Sequence, residues 1–344
     1  MANRLQQKHE VLVVEVEGAD EAYTRAIADF GLSLKQYEGK IGLKGPLRKL
    51  ASWYIWTKWL RGVFNEWQPD VVIVKDTKTL SLLSSKANYK TYFHARAWYA
   101  SYQVSRFKRA TFKRVKPHFM AVSQATRHAL FNAGLAPLQH ITVVPNALNL
   151  PIQFDRRANT GNTLRLLHAG GFIATKGQHI ALEVAARLKA TGIPFKLTLV
   201  GFVYNTAVSK QYFSSLQKFV ESNNLQDDVS LLTDKNNLEE LYLENDVLLY
   251  PSATEGLPRV VMEAMHYRLA VIANPVGGVI DLVQDGITGY IADFNNVSAY
   301  SQRVEELYRD SELRERIGES ASALVQRGYT AENQMSKIDF IFSK

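Results

Sequence analysis

The 344-residue sequence contains no cysteine, which excludes disulfide bonds and cysteine-ligated metal centres. It also lacks an apolar run of about eighteen residues, and its first residues are polar, so we expect neither a transmembrane helix nor a signal peptide. Its eight histidines are scattered without the spacing of metal ligands on a helix. The hydrophobic content of 46% suffices for two folded domains, and together these features favour a cytoplasmic protein.

Acidic residues are scarce in the first part of the chain. Residues 1–150 contain 22 Lys and Arg against 10 Asp and Glu, a net charge of +12, whereas residues 151–344 have a net charge of −4. All five tryptophans also lie in the basic part, at positions 53, 56, 59, 67 and 98. A basic, Trp-rich part joined to a mildly acidic part indicates two domains with different partners.

Apolar strands alternate with amphipathic helices along most of the chain. From residue 164 the strands are LRLLHAG, FKLTLVG, VSLLTD, DVLLYPS and LAVIANP, and helices of up to about fifteen residues, the last near VIDLVQ, follow them. The first part contains HEVLVVEV, PDVVIVKD, KTYFHA, PHFMAVS and HITVVPN. This order predicts two doubly wound, mostly parallel sheets. A linker near residues 149–157 would join them.

Three segments combine a buried strand with a Gly-rich turn and a following helix: HAGGFIATKGQ (168–178), VLLYPSATEGLPRVVMEAMH (247–266) and VIANPVGGVIDLVQDGITGY (271–290). Such turns direct backbone N–H groups and helix N-termini to one place, which favours an anion. The middle segment adds Glu255 and Glu263, with Pro258 placed to open the helix. A phosphate cradle beside two carboxylates suits a ligand that is part diphosphate and part sugar.

This pattern resembles the E-x7-E signature of the retaining, nucleotide-sugar-dependent glycosyltransferases of family 4, well over residues 120–325 and faintly before them. The resemblance implies an α/β GT-B fold, with two Rossmann-like doubly wound domains facing across a cleft. It places an acceptor domain at 1–150, a nucleotide-sugar domain at 151–328 and a C-terminal helix at 329–344 that returns to the first domain. The opening ANRLQQKHEVLVVEVE reads as a helix end and a strand, so the resemblance also implies a missing or replaced first βα unit of on the order of 30 residues. A start assigned at an internal methionine is the simplest explanation.

By the same resemblance, Lys176 neutralises the leaving diphosphate, Glu255 binds hydroxyls of the transferred sugar and Glu263 binds the ribose. The donor site would further include the turn and loop residues Gly170, Gly171, Gly256, Leu257, Pro258 and Arg259. A cation at a helix start is unfavourable unless an anion compensates it, which supports a functional role for Lys176. The alternative is a solvated lysine and two surface acids.

Three features depart from the family pattern or have a structural alternative. The family usually has an arginine two residues after the strand, where this chain has Gly171, and Arg259 is our candidate substitute. His94 ends a strand of the first domain and is predicted to lie near the donor sugar, with a purely structural role as the alternative. The pair Gly277–Gly278 is either part of the site or a tight turn.

The sequence contains no D-x-D motif, which holds Mg²⁺ or Mn²⁺ in the other large glycosyltransferase fold. We therefore expect no metal and no cofactor, with Lys176, Arg259 and helix N-termini meeting the leaving-group charge.

The segment 44–67 combines four tryptophans with Lys44, Arg48, Lys49, Lys58 and Arg61. Such a helix is typical of an anionic membrane surface, and the basic stretch 96–118 would extend it. The alternative is an amphipathic helix packed on its own sheet.

The sequence thus predicts a metal-independent retaining hexosyltransferase at the inner face of the cytoplasmic membrane. It would move a sugar from a nucleotide diphosphate sugar to a glycolipid or oligosaccharide, as in lipopolysaccharide core or polysaccharide synthesis. The alternatives are a catalytically impaired scaffold of the same fold and a nucleic-acid-binding protein, which the basic first part raises but no motif supports. We expect no nucleic-acid partner.

Overall fold

The computed structural model describes residues 1–17, 21–39, 45–97, 99, 102, 104–149, 151, 153–155, 161–233, 235 and 237–343. The chain forms two compact units. The first contains Met1–Ala121, Arg127–Val144 and Met335–Lys344, and the second contains Val122–Thr126 and Pro145–Gln334. The predicted linker includes residues 150, 152, 156 and 157, which lie outside the described part of the chain.

The first unit is built on short parallel strands, which are β1 (Leu12–Glu15), β2 (Ser33–Gln36), β3 (Val71–Val74), β4 (Lys90–Ala95), β5 (His118–Ala121) and β6 (Ile141–Val143). Its sequence also forms the helices α1 (Ala2–Leu5), α2 (Glu21–Asp29), α3 (Gly45–Trp67), α4 (Thr77–Leu82), α5 (Arg106–Val115) and α6 (Gln124–Asn132), followed by a 3-10 helix at Leu138–His140. The first three residues of α6 are counted with the second unit. The sequence predicts five of these strands; it misses β2, whose SLKQ has no apolar run.

Two sheets are present in the described part of the first unit. β1 pairs with β2, and β3, β4, β5 and β6 pair in that order, all in parallel. A cavity of about 120 Å³ is lined by residues of β1 and β3, among them Val14 and Val72, and by Leu60 and Phe64 of α3. The two strands are not paired with each other. The predicted absence of a βα unit stays a prediction.

The second unit contains a six-stranded parallel sheet in the order β12-β11-β10-β7-β8-β9. Its strands are β7 (Leu164–Ala169), β8 (Phe195–Gly201), β9 (Val229–Thr233), β10 (Val247–Tyr250), β11 (Ala270–Ala273) and β12 (Tyr290–Ile291). Its helices are α7 (Gln178–Ala190), α8 (Ala207–Ser222), α9 (Glu239–Glu244), α10 (Arg259–His266), α11 (Val297–Arg309) and α12 (Ser311–Gly328), with 3-10 helices at Ala174–Lys176 and Gly277–Asp281.

Both faces of this sheet are covered by helices, so its central strands are apolar on both sides. Leu166 and Leu249 point into one core, whereas the adjacent Leu167 and Leu248 point into the other. The side-chain period of two in a strand produces this division. One prediction is wrong in detail: the segment near VIDLVQ starts as a 3-10 helix at Gly277, because the glycine pair is itself part of the turn.

The chain ends with α13 (Ala331–Phe342), and residues from Met335 onward belong to the first unit. There the hydroxyl of Tyr92 donates to the carbonyl of Ile341 at 2.8 Å, and Lys8 pairs with Asp339 at 2.6 Å. Ile338 and Ile341 are buried beside Leu5. Apolar side chains thus fix the last helix on this unit.

Candidate active site

The Gly-rich turn after β7 is held by a buried glutamine. Nε2 of Gln178 donates to the carbonyls of Gly170 and Gly171, at 3.1 and 2.9 Å. The amide of Gly170 is used by the sheet through the carbonyl of Val200, at 2.9 Å. Within the described residues, the amide of Gly171 donates to no partner, so this turn presents one free N–H group.

The turn then packs closely on the loop that follows β10. Gly177 has φ +76°, and a Cβ at this position would collide with the carbonyl of Pro251, so only glycine fits. The amide of Ala253 donates to the carbonyl of Thr175 at 2.8 Å. Lys176 lies between Thr175 and Gly177, so these contacts place it at the carboxyl end of β10.

Lys176 and Glu255 form a short ion pair, with Nζ 2.6 Å from Oε1. The same oxygen accepts hydrogen bonds from the hydroxyls of Tyr250 at 2.6 Å and Ser252 at 2.7 Å. The side chains of Lys176 and Glu255 are 24% and 10% exposed, so both remain accessible from one side. The anion that a lysine at a helix start requires is therefore Glu255, the residue predicted to bind the sugar.

Glu263 lies on α10, and both of its oxygens have partners. Oε2 accepts from the hydroxyl of Tyr242 at 3.0 Å, and Oε1 pairs with Arg259 at 2.9 Å. The pKa of Tyr242 is raised well above its usual value, by burial and then by the charge of Glu263, so this hydroxyl stays a donor. Arg259 is 60% exposed, and an exposed i, i+4 pair contributes only about 0.3–0.5 kcal/mol. Arg259 is thus free to change partner at little cost.

The loop between the two glutamates directs its carbonyls into the protein. The carbonyl of Gly256 accepts from the amide of Gly278 at 2.7 Å, and that of Leu257 accepts from Nδ2 of Asn146 at 3.0 Å. Pro258 caps α10 from outside the helix, one position before the predicted one, because its ψ of 118° is not helical. Among the described residues, the amides of Gly256, Leu257 and Arg259 donate no hydrogen bond, as an anion site at a helix N-terminus requires.

Gly277 and Gly278 do more than form a turn. Gly277 has φ +52°, and a Cβ there would collide with the carbonyl of Glu255; at Gly278 it would collide with that of Gly256. The glycine pair therefore allows the third segment to support the Glu255 loop. The three segments predicted from the sequence meet at the carboxyl ends of β7, β10 and β11, as expected for a doubly wound sheet.

Tyr204 occupies the space beside Gly171. A Cβ on Gly171 would lie in contact with the hydroxyl and ring of Tyr204, which is about half exposed. An arginine at this position would require that ring to move. Among the described residues, the side chain of Arg259 pairs with Glu263 and makes no hydrogen bond to the Gly170–Gly171 turn, so its role as a substitute clamp stays a prediction.

His168 is a site residue that the sequence analysis missed. It is fully buried in β7, its Nε2–H donates to the carbonyl of Lys176 at 2.9 Å, and its ring stacks on Tyr250. Burial lowers its pKa to about 4, so the ring is neutral at neutral pH. A polar residue inside the otherwise apolar LRLLHA strand is the signal that reveals it. The sequence analysis also missed Tyr250 and Ser252, at and just after the end of β10, whose hydroxyls donate to Glu255.

His94 lies in the first unit, in β4. Burial, and then the positive charge of Arg96, lower its pKa to about 4. Its Nε2 is buried and has no hydrogen-bond partner in the described part of the chain. The predicted role of His94 near the donor sugar stays a prediction.

Helix α3 combines features of both alternatives for the segment 44–67, of which Lys44 lies outside the described residues. Trp56, Trp59, Leu60 and Phe64 pack against the core of the first unit. Leu47, Leu50, Trp53 and Tyr54 are exposed instead. The second half of the helix thus covers its own sheet, as the alternative predicts, and membrane contact through the exposed first half stays a prediction.

Two features are absent from the described residues. No described helix is long and apolar enough to cross a bilayer. No group of three or more His, Cys, Asp or Glu side chains in the described ranges is arranged to hold a metal ion.

Known proteins share this sequence pattern and this fold. Residues 152–323 match the family model Glycosyl transferases group 1, and residues 1–150 match Glycosyltransferase Family 4. The capsular polysaccharide biosynthesis glycosyltransferase CapM of Staphylococcus aureus is 24% identical over 65% of this chain and 60% of its own length. The N-acetyl-alpha-D-glucosaminyl L-malate synthase of Bacillus anthracis is 27% identical over 64% of this chain and 59% of its own. The alignments thus span about 60% of each relative.

A crystal structure of HepE from Anabaena in complex with UDP superimposes with a TM-score of 0.81, at 17% identity, over 97% of this chain and 100% of that one. The architecture is therefore the GT-B fold, with parallel sheets in two Rossmann-like domains, as the sequence predicts. The chain belongs to the group 1, family 4 glycosyltransferases.

Proposed function

We propose that this protein transfers a sugar, of hexose type, from a nucleotide diphosphate sugar to a hydroxyl acceptor with retention of configuration. The observation that supports this most is the Lys176–Glu255 pair at the carboxyl ends of β7 and β10. A cation, a partly exposed carboxylate and free amides of two loops lie together there. That set matches a ligand with a diphosphate and a hydroxyl-rich sugar.

Each residue has a part in this proposal. Glu255 accepts hydrogen bonds from the sugar, and Glu263 accepts them from the ribose. The turn at Gly170–Gly171 and the N-terminus of α10 bind the diphosphate. Arg259, the exposed partner of Glu263, turns toward the phosphates.

The chemistry needs no protein nucleophile in this scheme. The acceptor oxygen forms a bond to the anomeric carbon on the face from which the diphosphate leaves, and the acceptor proton passes to the departing phosphate oxygen. Negative charge grows on the diphosphate as the bond breaks, and Lys176 with the free amides stabilises it. Water is kept from the cation-like sugar. The reaction proceeds without a metal in this proposal.

The acceptor is proposed to be a glycolipid or an oligosaccharide of surface polysaccharide synthesis. The name of CapM refers to capsular polysaccharide, and HepE was solved with UDP, which supports a uridine donor. The first unit would bind the acceptor at the cytoplasmic face of an anionic membrane. The relative that is named an N-acetyl-alpha-D-glucosaminyl L-malate synthase points to a second class, small anionic acceptors, which the basic first part would also suit.

The test begins with thermal shift and turnover on UDP-glucose, UDP-galactose, UDP-N-acetylglucosamine, GDP-mannose and ADP-glucose. Glu263→Ala should lower the affinity for free nucleoside diphosphate about ten- to a hundredfold, because a hydrogen bond to a charged group contributes roughly 1.5–3 kcal/mol. Glu255→Ala should leave that affinity intact and reduce transfer, since in this proposal Glu255 contacts the sugar part of the donor and not the nucleotide.

Equal effects of both substitutions in calorimetry would reject these roles. Loss of turnover in EDTA, restored by Mn²⁺, would reject the metal-free scheme. Binding of a sugar nucleotide without any transfer would identify an impaired scaffold instead.

A further inference from the structure

Three donors converge on one oxygen of Glu255. Lys176, Tyr250 and Ser252 all reach Oε1, at 2.6, 2.6 and 2.7 Å. Tyr250 and Ser252 are buried, with 3% and 0% exposure. Among the described residues, Oε2 has no hydrogen-bond partner. The carboxylate is thus fixed through one oxygen, and the other is left to accept from a ligand.

The three donors differ in their freedom to move. The pKa of Tyr250 is raised far above its usual range, by burial and then by the charge of Glu255, and its ring is stacked on His168. Lys176 is 24% exposed, and its ammonium is held by Glu255, whereas its other hydrogen bonds are those of its backbone: its carbonyl accepts from His168 and its amide donates to the carbonyl of Ile173 at 2.9 Å. The ammonium can therefore swing while the two hydroxyls stay in place.

A single lysine cannot neutralise the diphosphate and remain the only support of Glu255. A buried carboxylate that loses its cation without other donors is strongly destabilised. Two hydroxyl donors reduce that cost, because hydrogen bonds to the charged form stabilise it.

We propose that Lys176 changes partner during donor binding, from Glu255 to the diphosphate, and that Tyr250 and Ser252 are positioning residues that hold the Glu255 carboxylate through the exchange. This inference rests on the proposed function, since it takes a nucleoside diphosphate as the second partner of Lys176. It adds a role for two buried residues that need not touch the donor.

The experiment measures the affinity for UDP by calorimetry in five proteins: wild type, Glu255→Ala, Tyr250→Phe/Ser252→Ala, the triple variant that adds Glu255→Ala to those two, and Tyr300→Phe. Removal of both hydroxyls leaves Glu255 dependent on Lys176, so UDP must compete for that ammonium. We expect the affinity to fall about tenfold in the double variant. Removal of the competing carboxylate should restore it, so the triple variant should match Glu255→Ala within about twofold.

Tyr300→Phe is the matched control, because Tyr300 is also fully buried in the second unit and its hydroxyl donates to the carbonyl of Ala292 at 3.1 Å. It should leave the affinity for UDP unchanged. A double variant that binds UDP as well as wild type overturns the inference, and so does a loss that the triple variant does not restore. If neither UDP, GDP, ADP nor pyrophosphate binds the wild type, the proposed function itself fails and the exchange with it.

Discussion

His168 is a neutral histidine at the centre of the candidate site, and its environment explains that state. It lies in β7 with no exposure, and Lys176 and His179 add positive charge nearby. Because the carbonyl of Lys176 accepts from Nε2, this nitrogen carries the proton, and Nδ1 remains buried without a partner in the described residues. A second proton on Nδ1 would place a positive charge in an apolar environment that already contains positive charge, and this lowers the pKa of the ring.

This pKa has a consequence for stability. The folded value of about 4 is lower than the ordinary 6.5, so between these values the unfolded chain binds a proton that the folded chain does not. The stabilising contribution is complete above pH 6.5 and is lost as the pH falls toward 4, by about 3 kcal/mol at most. We expect urea unfolding to show a smaller loss between pH 7 and 4.5 for His168→Phe than for wild type.

The comparison isolates this residue, because His179 and His266, whose pKa values burial also lowers, are present in both proteins. Parallel pH curves for the two proteins would show that the ring is not protonated on unfolding in this range.

At the residue scale, the sequence predicts the charged members of the site better than their supports. Lys176, Glu255 and Glu263 stand in a recognisable spacing, and the structure brings Lys176 into contact with Glu255. Tyr242 and Tyr250 cannot be assigned in the same way, since a tyrosine near a strand is common in a core. Only the fold shows which carboxylate each hydroxyl meets.

At the scale of elements, the loop that carries Glu255 is supported by the turn that follows β11. Gly277 and Gly286 are both glycines with positive φ, at +52° and +72°. A Cβ at Gly277 would collide with the carbonyl of Glu255, whereas a Cβ at Gly286 meets nothing within 4 Å. An alanine at either position strains the backbone, but only an alanine at Gly277 would also displace the Glu255 loop, so a comparison of the two substitutions separates these effects.

We expect Gly277→Ala to weaken sugar-nucleotide binding at least tenfold, because the Glu255 loop must move. Gly286→Ala should cost only about 1 kcal/mol of unfolding free energy, from the strained φ, and should leave binding unchanged. Calorimetry with UDP-glucose and urea unfolding of both variants check this. Equal binding losses would mean that strain alone is responsible.

The element pattern was largely predictable for a physical reason. Strands such as β10 and β11 are covered on both faces, so VLLY and AVIA are continuous apolar runs that stand out in the sequence. The edge strands β2 and β12 are short and partly exposed, and SLKQ and YI carry no such pattern. These two strands are identified by the neighbouring strands with which they pair, and that pairing cannot be read from the linear sequence.

At the scale of the whole molecule, net positive charge and exposed apolar side chains are concentrated in the first unit. In α3, Leu47, Leu50 and Tyr54 are exposed at a spacing that places them along one side of the helix, and Arg48 and Lys49 beside them are exposed too. Trp53 donates to the carbonyl of Ser81, which also accepts from Arg114 of the basic helix α5. The two helices therefore contribute to one basic, aromatic surface of this unit.

We propose that this surface contacts an anionic membrane. Each Lys or Arg near such a surface contributes about 1 kcal/mol, and the attraction weakens as salt shortens the Debye length. Wild-type protein should float with vesicles that contain anionic lipid at low salt and be released at high salt. Replacement of Arg48, Lys49, Lys58 and Arg61 by glutamine should abolish flotation without changing the affinity for UDP.

A variant with the same change of charge on exposed residues of the second unit (Arg187, Lys210, Lys218 and Arg316, each to glutamine) is the control and should still float. If both variants lose binding equally, net charge rather than the α3 surface is responsible. If wild-type protein ignores anionic vesicles at low salt, the surface does not bind a membrane. A small anionic acceptor, of the class that the glucosaminyl L-malate synthase relative suggests, then becomes the better explanation for the basic first unit.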